Sequence, residues 1–228
     1  MYRRITGVFL ILIPVLFNVA FFALGSAFEY PDILREPTDY ILTEFTAGGQ
    51  SLINLWYAFA MTALLAIPLA LLLYGLFREE YPQIAFAAAV VGVLSGLVQV
   101  MGLLRWVFLV PLVAEQYTQT ADPSVQASAA LIFETAHHYL GVAVGEHLGY
   151  FFTGSWTILL AVMMLRSRLF RSWMGIVGMI AAAGIMVGLL EPAGWEPAGA
   201  INAISYIVWS LWLMVAGVFV LLSTRTTA

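Results

Sequence analysis

All three histidines of the chain lie in one stretch, residues 134–154, ETAHHYLGVAVGEHLGYFFTG, beside the carboxylates Glu134 and Glu146. Imidazole next to carboxylate suits general acid/base work, proton handling and metal ligation. His138 with Glu134 is one acid/base pair, and Glu146 with His147 is a second that could handle protons. Glu134-Thr-Ala-His137 also has the Glu-x-x-His spacing that sets two ligands on adjacent turns of di-iron carboxylate bundles. Those bundles need a second copy of the motif, and this chain has none. Zinc could take Glu134 with His137 or His138 and a distant carboxylate. Glu191 is the best such carboxylate, because Pro192 fixes the turn beside it. The candidate metal set is therefore Glu134, His137 and His138, for a divalent ion such as zinc or iron. Haem would need imidazoles from different helices, or one histidine paired with Met101. No serine sits in a nucleophile-elbow pattern. The absence of cysteine and lysine removes thiolate sites, Schiff bases and a P-loop.

On a helix advancing about 100° per residue, Glu134, His138, Gly141, Gly145 and Gly149 share one face. That face reads acid, imidazole, then glycines at four-residue spacing. Glycines so spaced let a neighbouring helix backbone come close. The expectation is a covered glycine seam with Glu134 and His138 at its outer end, and with His147 pointing away.

The chain that must position these groups has 228 residues, 62% hydrophobic and 10% charged. A soluble domain is nearer half apolar and a quarter charged. Too few charges remain to cover a water-facing surface, and the apolar residues come in blocks of about 20, the length that crosses the hydrocarbon core. The expected fold is all-α: a polytopic membrane protein, a six-helix bundle forming a single integral membrane domain over 1–228. Spans are expected at 5–28, 51–77, 84–113, 139–165, 173–190 and 200–223, with an outer surface helix at 127–138. Residues 29–50 read as an acidic loop with a short amphipathic helix over 39–45, and 114–126 as a polar loop. Trp106, Trp173 and Trp195 are expected in interfacial belts, and Trp209 and Trp212 in packing.

Orientation follows the arginines. A cytoplasmic N-terminus puts Arg3, Arg4, Arg78, Arg166, Arg168, Arg171 and Arg225 inside, seven of nine, and leaves Arg35 and Arg105 on the outer side. Both termini are then cytoplasmic, and the chain is a multi-pass protein of the cell membrane whose first partner is the lipid bilayer. Nothing reads as nucleic-acid binding.

Gly175-Ile-Val-Gly-Met-Ile-Ala-Ala-Ala183 after the arginine loop, Trp209-Ser-Leu-Trp-Leu213 with Gly217, and the Arg4-Ile-Thr-Gly7 start resemble a bacterial and archaeal membrane family, the domain of unknown function DUF4386. The resemblance covers most of the chain. It implies a six-helix prokaryotic membrane protein without an established activity, and it carries no catalytic residues over.

Ionisable groups inside a span are costly and face the bundle interior or a wet cavity. By topology Arg105, Glu134, His137, His138 and Glu191 fall near the outer face, with Glu146 and His147 deeper. The leading expectation is a polar outer-leaflet pocket that binds a small ligand, lipid or metal ion at Arg105, Glu134, His137, His138 and Glu191, without catalysis. A second reading is an intramembrane enzyme acting on a lipid-like substrate, with Glu134, His138, Glu146 and His147 as catalytic candidates. A third is a proton-linked carrier using Glu146 and His147, its path lined by Asn18, Asn54, Ser95, Gln99 and Asn202. These last residues are equally ordinary inter-helix hydrogen-bonding groups.

Overall fold

Long apolar blocks broken only by short polar turns leave the backbone one way to satisfy its own hydrogen bonds, which is to coil. A computed structural model describes residues 1–223, and every regular element among them is helical. Arg225 lies outside the described residues. In chain order they are α1 (Tyr2–Phe28), a 3-10 turn (Asp32–Arg35), α2 (Thr38–Phe77), α3 (Pro82–Phe108), α4 (Val110–Gln119), α5 (Pro123–Ala136), a π-helix (His137–Leu148), α6 (Gly149–Arg166), α7 (Ser172–Val187), a 3-10 turn (Gly188–Ala193) and α8 (Pro197–Ser223). Six helical runs are long and apolar enough to cross a membrane: Tyr2–Phe28, Thr38–Phe77, Pro82–Gln119, Pro123–Arg166, Ser172–Ala193 and Pro197–Ser223.

Two stretches read as loop are helical. Helix α2 starts at Thr38, takes in the amphipathic segment and continues through the rest of the acidic stretch. Gly49 interrupts it with φ 56° and ψ −150°. Glycine alone enters that region without steric penalty, so the bend sits there. Helices α4 and α5 together fill 114–126 except for 120–122 between them. That join is built locally. Asp122 Oδ1 accepts from the Ser124 amide and from Ser124 Oγ, both at 2.8 Å, and Pro123 opens the helix.

The Ser124 bonds hold the Asp122 carboxyl below its ordinary value of 3.8. A depressed carboxylate contributes stability above its unfolded pKa, and that contribution is lost as pH falls through the folded one. Fraying of the α5 start is therefore expected only below about pH 4. Amide exchange at Ser124 should accelerate there in the native chain and show no such step in Asp122→Ala.

By its internal contacts the chain divides into two compact units, one of residues 1–15, 65–97 and 147–228, the other of 16–64 and 98–146. The first has an aliphatic and methionine-rich core, with Leu10, Leu73, Trp156, Met164, Met174, Trp212 and Ala216 buried. Trp209 and Trp212 are anchored in packing: Trp212 Nε1 donates to the Met174 carbonyl and Trp209 Nε1 to Thr157 Oγ1, each at 2.8 Å. Its polar residues link helices. Ser95 and Thr153 hydroxyls lie 2.7 Å apart, and Asn202 Nδ2 donates to the Ile185 carbonyl at 2.7 Å.

The second unit has an aromatic core: Phe28, Ile33, Leu42, Phe45, Trp56, Phe59, Trp106 and Phe133 are buried. Trp106, expected at an interface, is fully buried, its ring stacked on Trp56 at 4.7 Å and 9°. Trp173 and Trp195 are about half exposed. Indole is buried where a second indole can share its face, because stacking adds to the area removed from water.

Candidate ligand-binding site

The histidine stretch does not wind as an ordinary helix. Residues His137–Leu148 form a π-helix, with hydrogen bonds reaching five residues back instead of four. The consequence is geometric. Ala129, Phe133, His137 and Gly141 are buried at four-residue spacing, and Gly145 continues the series. In an α-helix each such step drifts the stripe by about +40°. In a π-helix, at about 4.4 residues per turn, each step drifts it by about −30°. Two α steps followed by two π steps nearly cancel, so a stripe of period four stays on one face.

The wide winding also sets which histidine lines up with Gly141 and Gly145. His137, not His138, lies in the seam, with a relative exposure of 7%. Its ring stacks on Phe133 at 5.3 Å and meets Trp106 edge-on at 6.1 Å. Nε2 lies 3.1 Å from the Leu34 carbonyl. A carbonyl only accepts, so Nε2 carries the proton, and in the neutral ring Nδ1 offers a lone pair. Nδ1 is buried and has no partner. Glu134 and His138, expected at the outer end of the seam, are exposed instead, and Thr38 Oγ1 donates to Glu134 Oε1 at 2.8 Å.

His137→Phe keeps the stacking and strips the hydrogen bond from the buried Leu34 carbonyl. It is expected to cost about 1–2 kcal/mol. His138→Phe, on the exposed side, should stay within about 0.5 kcal/mol of the parent. Thermal unfolding of the two variants in the same detergent checks the contrast, and equal losses would refute the assignment of the buried ring.

The glycines of the stripe are occupied from α3. A Cβ added to Gly102 would sit 2.6 Å from the Gly145 Cα, so the two backbones touch there. A Cβ on Gly141 would sit 2.5 Å from Arg105 Nη2 and 2.6 Å from its Cζ. The bare Cα of Gly141 is what gives the guanidinium room. Arg105 is 6% exposed and stands 5.2 Å from the centre of the Trp106 ring. Its Nη1 donates to the Gly102 carbonyl at 2.5 Å, and its Nε is buried without an acceptor.

The electrostatics follow from Glu146. Burial desolvates the Arg105 guanidinium; among its neighbours the Glu146 carboxylate and, less, Tyr30 favour its charge, and the Arg35 guanidinium opposes it. Glu146 is itself bonded to Arg35, Nη2 to Oε2 at 3.0 Å. One carboxylate therefore serves two guanidiniums, and among the described residues the buried one has no direct ion pair. Around the same rings, Trp56 Nε1 and Trp106 Nε1 are also buried without acceptors. Each unmet buried donor costs about 1–3 kcal/mol.

Of the expected pocket residues, Arg105, Glu134, His137 and His138 lie in the second unit, as does Glu146, a catalytic candidate expected deeper; Arg35, Trp56 and Trp106 of the same unit carry no such expectation. His147, exposed, and Glu191, half-buried, belong to the first unit. Among the described residues no three His, Asp or Glu side chains form a group that could hold a metal ion, so Glu134, His137 and His138 make no such set. The residues are split by the winding, one ring inward and two groups outward. What the arrangement can do chemically is offer N–H donors and positive charge around Arg105, and one acceptor lone pair at His137 Nδ1, from a buried position.

A family model described as "Domain of unknown function (DUF4386)" matches residues 5–217. Comparison with curated proteins and with solved structures gave no significant match.

Proposed function

The chain belongs to the DUF4386 family, and from that premise we propose that it is a multi-pass protein of the cell membrane that binds a small polar or lipid-like ligand at Arg105, His137 and Glu146 without transforming it. The observation that carries this reading is the Arg105 side chain. It is a desolvated cation with an orphaned Nε, served by a carboxylate already bonded elsewhere. A buried cation without full compensation is kept in a fold for what it holds. Arginine sorting supports cytoplasmic termini, with the 3-10 turn that carries Arg35 and the α4–α5 join on the outer side. The site then belongs to the outer half of the bilayer.

Native mass spectrometry of the detergent-purified protein tests the binding. A non-covalent adduct is expected on the wild type, absent in Arg105→Met and released chemically unchanged. Identical spectra for the two proteins would remove the proposal. Because the chain has no cysteine, single-cysteine labelling reads the orientation cleanly. Ser124→Cys is expected to react with an impermeant maleimide from outside intact cells, and Ser167→Cys only after lysis. The reverse pattern would invert the topology.

A further inference from the structure

Within that binding reading, on which this step rests, the charge pattern narrows the ligand. We infer that the site takes an oxyanion, a carboxylate or phosphate group, and that the oxyanion competes with Glu146 for the two arginines. Among the described residues Glu146 is the only carboxylate acting on Arg105, and it is committed to Arg35 at 3.0 Å. The guanidinium presents N–H groups in a planar fork that matches two oxygens of a carboxylate or phosphate. Its Nε, the edge used in such side-on pairing, is the buried atom that lacks an acceptor. Two further unmet donors, the indole N–H groups of Trp56 and Trp106, belong to the ring stack beside it, and all three call for acceptor atoms. A neutral ligand would supply acceptors and leave the charge standing. A cation would oppose both arginines. Arg35 is about half exposed while Arg105 is buried, so Arg35 is the cation an entering anion meets first.

The same chemistry could come from a lipid headgroup or from a free solute, and the probes separate them. The full-length protein in a maltoside detergent is titrated with oleate, with dioleoyl phosphatidate, with inorganic phosphate and with the neutral amphiphile monoolein. Tryptophan fluorescence, to which the stacked Trp56 and Trp106 contribute, is the readout. Saturable binding of oleate or phosphatidate alone supports the inference with a lipid source. Binding of inorganic phosphate as well supports it with a free source. In either case Arg105→Met should weaken binding at least about tenfold, the equivalent of one lost charge-assisted hydrogen bond. Glu146→Gln should tighten it about three- to tenfold, because the resident competitor is gone. Should Glu146→Gln not fold, Arg35→Gln gives the complementary reading: it leaves Glu146 to Arg105 alone and should weaken binding. Tightening in Arg35→Gln, or equal weakening in Glu146→Gln and Arg105→Met, overturns the competition. Monoolein binding that depends on Arg105, with no response to any oxyanion, overturns the inference and leaves the binding reading standing. No Arg105-dependent response to any probe removes both.

Discussion

Arg105→Met is expected to leave the protein folded and more stable in detergent, by about 1–3 kcal/mol, while abolishing binding at the site. Removing a buried charge normally strands its partner, at a cost of about 3–5 kcal/mol. Here the partner is not stranded, because Glu146 keeps its 3.0 Å bond to Arg35. The Gly102 carbonyl, which loses the Nη1 donor, retains the backbone bond that an α-helix supplies four residues on. What disappears is the desolvation of a guanidinium with an unmet Nε. Methionine fills similar volume and packs readily against indole. Reversible unfolding monitored by circular dichroism gives the number. A loss of more than about 1 kcal/mol would mean the guanidinium is well satisfied in the ligand-free protein, and the functional reading would lose its main support.

The second large effect is an asymmetry between two glycines that touch. Gly102→Ala should destabilise by about 2–3 kcal/mol, in the upper part of the range for overpacking. Its added Cβ would meet the Gly145 Cα at 2.6 Å and the Leu140 carbonyl at 2.9 Å, both backbone atoms with no rotamer to give. Gly145→Ala points its Cβ less directly, 3.2 Å from both the Gly102 Cα and the Leu140 carbonyl oxygen, and a few tenths of an ångström of movement relieves it. About 1 kcal/mol or less is expected there. The same melts, run side by side, decide it. Equal costs would mean that the two backbones do not approach as described.

Much of this site was legible in the residues. Histidines and carboxylates crowded into one glycine-rich stretch mark a place where a polar group is tolerated among apolar helices. Arg105 beside a carboxylate follows from the cost of a lone cation there. Arg35 carries a signal too. Arg35 and Arg105 are the two arginines that charge sorting leaves on the outer side, and they are the two that act with Glu146. Trp106 carried no such mark, since a tryptophan near a helix end fits a belt and a core equally well until its neighbour is known.

Composition and periodicity alone determine that this chain is helical, apolar along six long runs and polar in one stretch, because those properties depend on residues adjacent in sequence. Which imidazole turns inward was decided by tertiary structure. Glycine at 141 and 145 permits a close approach to α3, and the stripe follows that contact only if the backbone widens into a π-helix. Helical winding is set by a balance of a few kcal/mol that distant packing can tip, so His137 rather than His138 faces Trp106 for reasons lying some thirty residues away, in α3.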